Sequence, residues 1–68
     1  MNDKELVKAI AERARSEGER KVMVELVTCG MPPSTAEKLA RGEYRVNRLL
    51  RKTSAAIRQV LGAGRESA

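Results

Sequence analysis

The chain contains no His, no Phe and no Trp, and it carries a single Cys, a single Tyr and two Pro. Each scarcity excludes something. Without His there is no imidazole for general acid–base work and no Ser-His-Asp arrangement. With Cys29 alone and no His, a Cys/His zinc site cannot be assembled within one chain, and an internal disulfide is impossible. One aromatic, Tyr44, is too few for the base-stacking platforms that hold single strands or RNA. Uninterrupted apolar runs extend only a few residues, far short of the roughly 20 that cross a bilayer. A lone Cys and no secretory signal lead to the expectation of a cytoplasmic protein. No carboxylates cluster, no glycine loop could cradle a phosphate, and no metal-ligand set is visible. The chain is therefore expected not to be an enzyme, and to need neither cofactor nor metal.

What is present is a length of 68 residues, 41% hydrophobic and 34% charged, which suits one small globular domain over residues 1–68 with an aliphatic core. The formal net charge of +5 is unevenly spread. Residues 1–26 hold six basic side chains (Lys4, Lys8, Arg13, Arg15, Arg20, Lys21) and six acidic ones (Asp3, Glu5, Glu12, Glu17, Glu19, Glu25). The whole excess lies beyond them, with seven cations between Lys38 and Arg58. Such a field suits a polyanion, nucleic acid first; the alternative is a solvated helix face.

Apolar spacing predicts an all-α domain of four helices and no strand. The first covers Asp3 to Ser16, with Asn2 as cap, Glu5 at capping-box distance, and Leu6, Val7, Ile10 and Ala14 along one stripe. Gly18 ends it. The second covers Glu19 to Thr28, with Val22, Met23, Leu26 and Val27 on one side, and Gly30 stops it. Pro32 and Pro33 forbid a continuous helix beyond that point. The third helix covers about 34–41 and ends at Gly42. Two starts are open for it: Pro33 at the first helical position, or Ser34 as cap with Glu37 closing a capping box. After a loop that includes Glu43, Tyr44 and Arg45, Asn47 can cap a fourth helix running to about Leu61. Its stripe is Leu49, Leu50, Thr53, Ile57, Val60 and Leu61; Gly62 and Gly64 are expected to end it and leave a frayed tail.

The informative stretch is Val22 to Gly42, where a short helix, a tight turn opening on Gly30 and a second short helix follow one another. Met31 is the apolar residue that plugs the turn, while Ala36 and Leu39 face the preceding helix. In Gly30-Met31-Pro32-Pro33-Ser34-Thr35-Ala36-Glu37-Lys38-Leu39-Ala40-Arg41-Gly42 the chain resembles the Cro/repressor-type helix-turn-helix regulators of phages and bacteria. Members commonly read Gly, aliphatic, two variable positions, Ser, Thr, a small or aliphatic residue, two variable positions, aliphatic, a polar pair and Gly. The likeness extends over about residues 4–61. The chain differs at Leu26, where the family often has Ala, at Val22, where Gln is common, and in its Pro32-Pro33 turn. Its size also resembles the small regulators encoded beside anti-CRISPR genes in mobile elements.

The resemblance implies a recognition helix in the major groove of double-stranded DNA, with Ser34, Thr35, Lys38 and Arg41 toward base edges. Glu37 either accepts from cytosine N4 or caps its helix, the cap being preferred. Arg20, Lys21, Tyr44, Arg45 and Arg48 are the expected backbone contacts, with Arg51 and Lys52 beside them. Tyr44 has the alternative of covering the core edge with its ring. Cys29 is expected to be a small buried hydrophobe.

One short recognition helix reads few base pairs, so a homodimer on a palindrome is expected. Its interface is placed on Ile57, Val60 and Leu61; the alternative is that these fold back onto the first helix. The function so implied is a transcriptional regulator, most simply a repressor. The competing reading is a basic helical protein-interaction module of the antitoxin or inhibitor type.

Overall fold

Asn2 opens the first helix through a reciprocal pair of bonds. Its Oδ1 accepts from the Glu5 N–H at 2.9 Å, and its own N–H donates to Glu5 Oε1 at 3.0 Å. Two N–H groups that an α-helix leaves unpaired at its start are thereby satisfied. Asn2→Ala is expected to cost about 1 kcal/mol. In a domain of this size that lowers Tm by about 4–8 °C. A thermal melt unchanged within about 1 °C would contradict the capping role.

The computed structural model describes residues 2–45 and 48–66, with side chains through residue 62. Four helices follow one another: α1 (Asp3–Glu17), α2 (Glu19–Thr28), α3 (Pro33–Arg41) and α4 (Arg51–Glu66). There is no strand among the described residues, so the domain is all-α. No helix among them is long and apolar enough to cross a membrane.

The core is aliphatic, as the missing Phe and Trp require. Leu6, Ile10 and Ala14 come from α1, Val22 and Leu26 from α2, Ala36, Leu39 and Ala40 from α3, and Ala56, Ile57 and Val60 from α4. Met31 and Leu49 enter it from the connections. Within each helix these residues recur at three- and four-residue spacing, which places them on one stripe. α1 packs against the other three helices and α2 also packs against α3 and α4, whereas α3 and α4 make no direct packing among the described residues. α3 is thus held from one side only, and its other side faces outward.

The third helix starts by the proline route. Pro33 is its first helical residue and no side chain caps it, so the Ser34–Glu37 capping box does not form. Proline suits this position because its fixed φ is helical and its absent N–H would have had no helical partner. Glu37 is free for another role.

The fourth helix differs most from expectation. It begins at Arg51 rather than near Asn47, a position outside the described residues. The Leu49 N–H donates to Asp3 Oδ2 at 2.7 Å, tying this segment to the start of α1. The first helical turn closes only with Ser54 N–H on the Leu50 carbonyl. Leu50 therefore lies ahead of the helix and is 76% exposed instead of lining its stripe. At the other end α4 continues through Gly62 and Gly64 to Glu66. Glycine lowers helix propensity by about 1 kcal/mol but does not forbid the conformation.

Ile57 and Val60 do not form an outward face. They are 0% and 3% exposed, buried within their own chain. The apolar side of α4 folds onto α1 and α2, and Arg13 of α1 donates through Nη1 to the Val60 carbonyl at 3.0 Å. The expected dimer surface on these two residues is thus corrected; Leu61 is half-buried against the same core.

Candidate nucleic-acid interface

The turn between α2 and α3 sets how α3 is presented. After Thr28 the Gly30 N–H donates to the Val27 carbonyl at 2.9 Å and the Met31 N–H to the Leu26 carbonyl at 3.1 Å. These bonds fall on carbonyls of the last turn of α2, where the Cys29 N–H also reaches Leu26. The reversal needs φ +98° at Gly30, a region that side chains with a Cβ rarely adopt. Met31 then turns inward and is 4% exposed, filling the space the turn encloses. At the far end of α3, Gly42 takes the left-handed conformation and the Glu43 N–H returns to the Lys38 carbonyl at 2.9 Å.

With Ala36, Leu39 and Ala40 buried, the outward row of α3 is Ser34, Glu37, Lys38 and Arg41, all exposed. These positions follow helical spacing from the second residue of the helix. Thr35 lies at the edge of this row, half-buried. Glu37 stands in the middle of it. Its Oε1 meets Arg41 Nη1 at 3.4 Å, with both side chains more than half exposed. Of the two roles open to Glu37 from the sequence, the preferred cap does not form, and the side chain is exposed on this row.

A shallow groove beside this row, between α2 and α3, is lined by Glu19, Arg20, Met23, Glu37, Ala40 and Arg41. Arg20 is thereby brought beside Arg41. Lys21 lies elsewhere: its Nζ is 3.2 Å from Glu17, which also holds Arg13 Nε at 2.8 Å. The hydrogen bond from Lys21, with the charges of Arg13 and Lys21 and against some desolvation, keeps the Glu17 carboxyl below the usual carboxylate range. The expected backbone contacts on α2 therefore differ in setting, Arg20 next to the outward row and Lys21 exposed in an ion pair with Glu17.

The densest positive charge lies after α3. Arg45, Arg48, Arg51 and Lys52 are all exposed. Arg51 and Lys52 occupy the first turn of α4, which contains no acidic residue. Cations there oppose the helix dipole, at about 0.3–1 kcal/mol each when exposed. Folding gains nothing from this placement, whereas an anion brought to the same surface would. Tyr44, by contrast, is half-buried and packs on the core with its ring, the alternative the sequence left open. Cys29 is half-buried against the same core at the end of α2.

Comparison of the chain with protein-family models, with curated proteins and with solved structures finds no match.

Proposed function

We propose that this protein is a sequence-specific, double-stranded-DNA-binding transcriptional regulator of the Cro/repressor-type helix-turn-helix class, acting in the cytoplasm and most simply as a repressor. The observation that carries this reading is the outward row of α3, held behind a glycine turn and followed by four exposed cations. A helix supported from one side only has the shape needed to enter a major groove. Ser34 and Lys38 supply donors toward base edges, and Thr35 lies at the row's margin. The uncapped start of α3 offers backbone N–H groups to a phosphate.

Specificity and affinity are divided between two places. The exposed row of α3 nets only one positive charge, from Lys38 and Arg41 against Glu37. Arg45, Arg48, Arg51 and Lys52 supply the salt-dependent grip on the backbone, with Arg20 on the other flank. Two copies of the chain on a palindrome would extend the few base pairs that one helix reads.

The test is a titration with the duplex upstream of this protein's own gene, beside a scrambled duplex of equal length, at about physiological salt. The expected preference is at least about a thousandfold, the low end of specific recognition. A footprint with two-fold symmetry is expected for the dimer. Equal binding to both duplexes, or to neither, contradicts recognition of that site.

A further inference from the structure

Resting on the DNA reading above, we propose that Glu37 and Arg41 read one C·G base pair together, so that each half-site requires it. Glu37 is the one acidic group on the outward row of α3, where a carboxylate facing phosphates is unfavourable unless it is used. It does not cap its helix, and α3 has no side-chain cap at all. It is not needed for burial, since its side chain is 53% exposed. Its partner is Arg41, one helical turn on at 3.4 Å, an exposed pair of a kind that contributes little to stability.

The pair presents an acceptor and a bidentate donor side by side. A C·G pair presents the complement in the major groove: cytosine N4 donates, and guanine O6 and N7 both accept. An A·T pair also offers one donor, adenine N6, but its two acceptors, adenine N7 and thymine O4, lie on either side of that donor. It therefore lacks the adjacent pair of acceptors an arginine fork needs, and it places a methyl group beside O4. The planar guanidinium fork is itself preorganised, which reduces the freedom lost when it meets the base. The Glu37 carboxylate repels phosphates from the reading face, so misregistered complexes are disfavoured.

The experiment is selection from randomised duplexes with the wild-type chain, Glu37→Ala and Glu37→Gln, followed by titration of single-base variants of the selected site at fixed salt. For the wild type, replacing the selected C·G by A·T is expected to weaken binding about tenfold to a hundredfold. In Glu37→Ala that ratio falls below about threefold, while affinity for random duplex rises. Glu37→Gln shifts the preference toward adenine, which glutamine pairs bidentately through N6 and N7. Matching thermal melts for the three proteins show that folding is not the cause. If Glu37→Ala selects the same site with the same ratios, the paired reading is wrong while the DNA reading stands. If the wild type selects no sequence, both fall.

Discussion

Leu39→Ala is expected to leave much of the protein unfolded at 25 °C. Leu39 is fully buried at the centre of α3, the helix that packs on α1 and α2. Removing a buried Leu side chain costs the transfer free energy plus the cavity it leaves, about 2–5 kcal/mol in all. A single core in a domain this small rarely supplies more than about 3–5 kcal/mol. The loss thus matches the whole reserve. Circular dichroism should show a broad melt shifted down by 10 °C or more, at about 4–8 °C per kcal/mol for this size. Leu39→Met, which conserves volume, should cost less than about 1.5 kcal/mol. A cooperative Leu39→Ala melt within about 5 °C of wild type would mean that α3 is not held by this core.

Replacing Arg45, Arg48, Arg51 and Lys52 together by Gln is expected to remove DNA binding at physiological salt and leave the fold intact. If each cation meets one phosphate, the slope of log K against log salt drops by about 0.9 per contact, roughly 3.6 in all. Taking the electrostatic part to vanish near 1 M, that is about a thousandfold weaker binding at 0.15 M. Stability should not fall, because the four side chains are exposed and Gln matches Arg and Lys in helix propensity. It should rise slightly, since Arg51 and Lys52 oppose the α4 dipole. Lower affinity with an equal or higher melting temperature separates a functional charge from a structural one. An unchanged salt slope would place the DNA backbone elsewhere on the protein.

These two experiments address different layers of the molecule, and the layers were not equally legible. The core positions of α1 and α2 followed from apolar spacing alone: Leu6, Ile10, Ala14, Val22 and Leu26 are all buried. The ends of both helices followed from Asn2, Gly18 and Gly30, because capping and left-handed turns are local events decided within a few residues. The inward side of α3 was equally plain, with Ala36 and Leu39 buried beneath an exposed Ser34 and Lys38.

The errors fall where distant residues compete for a group. Nothing near Leu49 in sequence indicates that its N–H is taken by Asp3, a bond that ties the segment ahead of α4 to the start of α1, beside an outward Leu50. Ile57 and Val60 looked unpartnered because their partners on α1 and α2 lie far back in the chain. Glu37 looked like a cap because the capping pattern was complete, but Pro33 had already supplied a start that needs none.

Composition and local spacing are enough to specify an all-helical domain with an aliphatic core, a glycine turn ahead of α3 and a positive second half. Only the tertiary structure decided which surfaces remain available. It buried the apolar side of α4, left α3 supported from one side, and kept the Glu37–Arg41 side of that helix open. The physical reason is that a side chain's exposure depends on which distant elements pack over it, whereas its helical register depends only on its neighbours.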